Sequence, residues 1–193
     1  MNNFLKRVVA LIIDLFILSC VCNLFGIVTI KSDTYISLDK EAASIQENYD
    51  KGKIDSEAYI NQVSDICYDM LRGTGLYMII SIAIYLLYFG YYQYKRGGQT
   101  IGKKLLHIKV KGKDRDLSIN DYVYRSLIIN GILFNFIIVL LLFFGSKQIF
   151  MLLYSLIMLL YYVIMIICGL MVLIRKDHRG LHDFIGHSEV VNE

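Results

Sequence analysis

Four stretches of this chain, residues 8–30, 74–94, 126–146 and 148–174, contain a single charged side chain among them, Asp14. Nothing else in the sequence narrows the fold as much. A hydrocarbon layer about 30 Å thick is crossed by roughly 20 consecutive apolar residues of α-helix, which advances about 1.5 Å per residue and satisfies its own backbone hydrogen bonds. Each stretch reaches that length. The expected fold class is therefore an all-α membrane protein with four transmembrane helices. With 56% hydrophobic and only 19% charged residues in 193, a cytosolic enzyme, a disordered chain and a disulfide-stapled secreted domain are excluded as main readings. Proline is absent, which predicts four uninterrupted helices and argues against a broken-helix transport site. Tryptophan is absent too, so the 15 tyrosines must supply any interfacial aromatic belt.

Lys and Arg near helix ends resist translocation, so their distribution sets orientation. Lys6 and Arg7 precede the first span, segment 95–125 carries nine basic residues, and Arg175, Lys176 and Arg179 follow the last span. The alternate connections, loop 31–73 and the turn at Lys147, hold six basic residues against nine acidic ones. Both termini are expected in the cytoplasm of a bacterial cell, with loop 31–73 outside and segments 95–125 and 175–193 inside. The apolar start is long enough to span and lacks a small-residue cleavage pattern, so it reads as a helix, not a signal peptide. Ile17-Leu18-Ser19-Cys20 only faintly resembles a lipoprotein cleavage box, and Asp14 sits badly in a signal h-region. The four cysteines form no C-x-x-C pair, and no disulfide is expected.

The outer loop has helical texture. Tyr59, Val63, Ile66 and Met70 form one apolar stripe, with Asp55 or Ser56 to cap its start and Gly73 at its end. An earlier helix over about 37–50 turns at Lys51-Gly52-Lys53. The pair is expected to rest on the outer membrane surface as a hairpin; a ligand-capturing cap is the other reading. Inside, Gly97-Gly98-Gln99-Thr100-Ile101-Gly102-Lys103-Lys104 approaches the phosphate-cradling pattern G-x-x-x-x-G-K-[ST]. Lys104 stands where the Mg²⁺-binding hydroxyl is needed and no parallel strand precedes it, so nucleotide hydrolysis is not expected. The segment reads as a turn and a short membrane-parallel element whose lysines attract anionic inner-leaflet lipid. Leu106, Ile108 and Val110 alternate with His107, Lys109 and Lys111 as a short strand, for which Glu189-Val190-Val191 is the candidate partner. The positive-inside rule accounts for the basic residues, so no nucleic-acid partner is expected.

Asp14 is the most informative residue. A carboxylate in mid-helix costs about 2.5–3.5 kcal/mol on insertion scales, so it must face protein or water. Arg7, Ala10 and Asp14 share one helix face, but Arg7 lies roughly 10 Å away along the axis. The partner of Asp14 must come from another helix, the C-terminal tail or water. Tyr77, Ser81, Tyr85, Tyr88 and Tyr92 give the second span a hydroxyl-bearing face. Asp121 and Arg125 open the third span, which also carries Asn130 and Asn135. Interhelical hydrogen bonding explains such residues without any transport role; lining a pore is the sharper reading for Tyr85, Tyr88, Asn130 and Asn135. His178 and His182 are spaced for a metal, but Gly180 weakens the helix between them and no third ligand is evident. No metal, cofactor or catalytic constellation is expected, and the chain does not read as an enzyme.

Three motifs in order resemble the RDD family of small bacterial membrane proteins, named for one arginine and two aspartates. Arg7-x-x-Ala10-x-x-x-Asp14 looks like its opening helix. Gly98-Gln99-Thr100-Ile101-Gly102-Lys103-Lys104-Leu105-Leu106, followed by Arg125, resembles its Gly-Gln-Thr-x-Gly-Lys segment. Arg179-Gly180-Leu181-His182-Asp183 looks like its closing motif, which makes Asp183 the second aspartate. The chain departs at His107 and in Gly186-His187-Ser188-Glu189-Val190, where the family pattern has Gly after Leu-Leu and Ala-Gly-Thr-x-Val. The resemblance implies an integral membrane protein for which transport of unknown ligands has been proposed, with cation/proton exchange suggested for some members. Two readings follow. In one, ions or protons cross a polar bundle interior centred on Asp14, with Arg7 and Asp183 at the cytoplasmic mouth, Arg125 beside them and homo-oligomers completing the path. In the other, Arg7, Asp14 and Asp183 form a structural polar lock in a non-transporting scaffold, immunity or accessory protein.

Overall fold

The computed structural model describes residues 3–29 and 32–193. Helix α1 runs over Asn3–Thr29, followed by α2 (Ser32–Asp50) and α3 (Ser56–Gly73). The next span is α4 (Gly75–Leu86), a π-helical turn (Leu87–Tyr92) and the short α5 (Gln93–Lys95). Then come α6 (Ile101–Leu105), β1 (Ile108–Gly112), α7 (Ile119–Ile129), α8 (Ile132–Phe144), α9 (Lys147–Ile174), α10 (Leu181–Ile185) and β2 (Ser188–Asn192). Phe4–Thr29, Gly75–Lys95 and Lys147–Ile174 are each long and apolar enough to cross a membrane. The fourth span exists only if α7 and α8 count together, and they meet at 70°.

That bend corrects the expectation of four uninterrupted helices, and of one straight helix over 126–146. Chain breaks do not require proline. Gly131 adopts φ +65°, a left-handed conformation that ends a helix and that glycine enters without a Cβ penalty. A Cβ there would also stand 3.1 Å from the ring of Tyr161. The second span is interrupted too, by the π turn at Leu87–Tyr92. Its extra residue splits the hydroxyl face: Tyr77, Ser81 and Tyr85 look onto one cavity, while Tyr88 turns to Asp14 and stacks on Tyr92 at 5.3 Å.

The two ends of the bundle are built differently. At one end α2 and α3 form a hairpin, as their periodicity predicts. Asp55 accepts the Ala58 amide at 2.8 Å to start α3, Tyr49 stacks on Tyr59, and Lys147 at the head of α9 reaches Asp65 at 2.7 Å. Tyr68 packs there with Ile138, Leu142 and Phe150. At the other end, where α1 begins and the C-terminal strand lies, β1 and β2 pair antiparallel with Val110 opposite Val190. Here the sequence-based pairing with residues 189–191 agrees with the structure. Ile108, Val110 and Val190 pack with Ala10 of α1 and Tyr122 of α7, so the small sheet seals the base of the bundle. Asp121 does not pair with Arg125; it caps α7 through Ser118 and takes Arg115 at 2.7 Å.

Candidate functional site

The buried polar residues gather at the sheet end in two centres. The first is Asp14, 1% exposed. One of its oxygens accepts the Tyr88 hydroxyl at 2.6 Å and the Gly102 amide at 2.8 Å; the other accepts the Thr100 hydroxyl at 2.5 Å. The start of α6 explains this convergence. A helix leaves its first amides unsatisfied, and here side chains take all three: Ile101 N donates to the Tyr88 hydroxyl, Gly102 N to Asp14 and Lys103 N to the Thr100 hydroxyl. Asp14 is thus the anion at the head of a helix that belongs to another part of the chain, a favourable placement for negative charge. The likeness of this turn to a phosphate cradle has a physical basis: its amide meets an anion, and the anion is the protein's own. Glycine is required because a Cβ on Gly102 would lie 2.3 Å from the Ala10 carbonyl oxygen, and one on Gly98 2.0 Å from that of Val110.

The second centre is Asp183, fully buried. Arg125 approaches one oxygen at 2.5 Å; Arg7 at 3.4 Å, His182 at 3.4 Å and the Gly180 amide at 3.0 Å approach the other. Arg7 also donates to the carbonyls of His178 and Val190. Arg179 spans the carbonyls of Asp183 and Ser188. Burial works against the charge on Asp183, but Arg125, His182, the Gly180 amide and Arg7 hold its carboxyl below the usual range. Burial pushes His182 down to about 3, against the opposing pull of Asp183. Lys103 is pushed down to about 7, first by burial and then by the neighbouring Arg125.

Two cavities adjoin these centres. The inner one, about 200 Å³, is bordered by Arg7, Asp14, Lys103, Arg125 and His182 along with apolar residues of α1, α7 and α9. The larger, about 430 Å³, lies toward the hairpin end and is lined by Ser19, Tyr77, Ser81, Tyr85, Asn135 and Tyr161 among others. Leu11, Ile129, Asn130 and Met165 border both. Both polar side-chain atoms of Asn130 and the Ser81 hydroxyl are buried without a partner, which is costly in an apolar surrounding unless something fills the gap. Among the described residues no cluster of three or more His, Cys, Asp or Glu side chains could hold a metal ion.

Those three motifs clasp α1 to α6 and α10, and the RDD family model matches residues 2–187. The chain belongs to the RDD family. No curated protein and no solved structure matches it.

This RDD chain distributes the expected site residues over different places. Arg7, Arg125 and Asp183 meet directly, whereas Asp14 bonds neither Arg7 nor Asp183 and is held instead by Tyr88 and the Gly-Gln-Thr-x-Gly segment. Tyr85, Asn130 and Asn135 border the larger cavity. Thr100, Gly102 and Arg179 are motif members to which the sequence assigns no contact with the carboxylates, and Ser188, which donates to Asp183 and accepts from Arg125, carries no local signal.

Proposed function

We propose that this RDD protein moves a small cation or proton across the cell membrane, with the turn at Thr100–Gly102 acting as a gate that closes on Asp14. The observation that carries this reading is the pair of cavities that share Asn130 in their walls: hydroxyl and amide groups line the larger, and Asp14 borders the smaller. Release of the clamp would free a carboxylate at the mouth of a polar path. In this reading both termini and the sheet face the cytoplasm, anionic lipid attracts segment 95–125, homo-oligomers complete the path, and no chemistry is catalysed. The test is flux into liposomes carrying a lumenal pH dye after a Na⁺ or K⁺ jump. Wild type should shift the dye well beyond empty liposomes and Asp14→Asn should not. Folded wild-type protein without flux would remove transport from consideration.

The direct pairing of Asp183 with Arg7 and Arg125 favours a second reading, a non-transporting scaffold or accessory protein. There the two polar centres only lock helices and tail together, and Asp14→Asn lowers stability with no flux to lose.

A further inference from the structure

The inner cavity holds more donors than the protein itself uses. Lys103 has no carboxylate within 4 Å among the described residues, although its neighbour Asp14 is close; that carboxylate is already taken by Tyr88, Thr100 and Gly102. Arg125 is 6% exposed and spends one terminal nitrogen on Asp183 and Ser188. Arg7 Nε is buried without a partner. Lys103, Arg125 and Arg7 thus border one cavity whose neighbouring carboxylates already hold donors of their own.

Most of the remaining wall is apolar, with Gln93, Ser126, Asn130 and His182 the polar exceptions beside Asp14. Phe4, Val8 and Leu11 of α1 face Met165, Gly169 and Val172 of α9 across it. Helix α1 packs mainly on α4 and α6, and α9 mainly on α8, α3 and α10, with no comparable packing between α1 and α9. The cavity is the gap between them. On either side of it the outward residues Leu5, Ile12, Ile166 and Leu173 are exposed apolar groups, suited to the acyl layer of a membrane. A ligand that fits both halves carries one anionic group and an acyl chain.

We propose that the inner cavity binds a single-chain anionic lipid, a fatty acid or a monoalkyl phosphate, with its head group on Lys103 and Arg125 and its chain leaving between α1 and α9. The site deepens the transport reading by naming a ligand for one of its cavities, but it does not depend on cation flux. A charged head group in a partly dehydrated pocket gains strength from charge-assisted hydrogen bonds to Arg and Lys. Around Lys103 stand Asp14 and Arg7 of α1, the Phe89 ring of the π turn at 5.8 Å, Arg125 of α7, and His182 and Asp183 of α10; the depressed Lys103 makes binding weaken as pH rises through about 7.

The experiment uses the full chain in neutral-lipid nanodiscs and cis-parinaric acid, a fluorescent polyene fatty acid. Its fluorescence should rise saturably, and oleate or oleyl phosphate should displace it while oleyl alcohol and inorganic phosphate do not. Comparing oleate with oleyl phosphate distinguishes a carboxylate from a phosphate head. Lys103→Gln should weaken binding about ten-fold or more, and Lys103→Arg should retain it. A Cβ on Gly169 meets no atom within 4 Å, so Gly169→Leu should fill the gap and abolish binding while thermal stability is kept. Displacement by oleyl alcohol or by inorganic phosphate alone, or wild-type binding by both Lys103→Gln and Gly169→Leu, would overturn the site. Saturable binding with no cation flux would instead sink the transport reading and leave the lipid site standing.

Discussion

Asp14 and Asp183 are the two carboxylates that this chain buries most completely, and their surroundings suit different tasks. Asp183 faces two arginines, and losing one partner of such a buried group is expected to cost about 3–5 kcal/mol because the other charges stay buried. Asp14 meets only two hydroxyls and one amide, contacts that can be broken singly and re-formed with water. Gly102 is the residue on which that clamp depends. Gly102→Ala places a methyl 2.3 Å from the Ala10 carbonyl oxygen, and backbone cannot yield as a flexible side chain would. The substitution should cost about 1–3 kcal/mol, read as a lowered unfolding temperature in detergent and as faster trypsin cleavage at Lys103 and Lys104 once α6 leaves α1. Unchanged cleavage would mean that α6 docks without the clamp. The carboxylate and its need for a partner were legible in the sequence; the continuous hydroxyl face was not borne out, because the π turn leaves only Tyr88 on Asp14. The identity of the partner was not, because Thr100 is 86 residues away and no periodicity links them.

Among the elements, both strands are preceded by a residue in an unfavourable conformation. His107 has φ +53° and His187 φ +47°, and both side chains are exposed. These are the two positions at which the chain departs from the glycines of the family pattern, and positive φ explains why glycine belongs there. His107→Gly and His187→Gly should each raise stability by about 0.5–1 kcal/mol, after the extra chain entropy of glycine is set against the relieved strain. Thermal midpoints of the single and double variants check this, and a fall in either would show that the imidazole is held by a contact. The strands could be read from alternating Leu106, Ile108 and Val110. The break between α7 and α8 carries only the Asn130-Gly131 turn signal, which the uncharged length of 126–146 outweighs in a reading by hydropathy.

For the whole molecule, the decisive question is which face of the membrane carries the sheet. In the proposed arrangement the hairpin of α2 and α3 is outside, and its exposed Cys67 should react with a membrane-impermeant maleimide added to intact cells. Cys22 and Cys168 are buried and should not. Cys20 is exposed only along α1, in the acyl layer, where a charged maleimide does not reach. Labelling of Cys67 only after lysis would reverse the orientation. Transfer of apolar side chains out of water is additive and local, so the sequence by itself determined three of the apolar spans, how the charge divides between connections, and that Asp14 must find a partner. Convergence is neither additive nor local. Whether Asp14 would meet Arg7, Asp183 or an amide was decided by a left-handed Gly131, a π turn and the close approach that Gly102 permits. Each redirects many side chains through one backbone change, and that geometry exists only when the helices are packed.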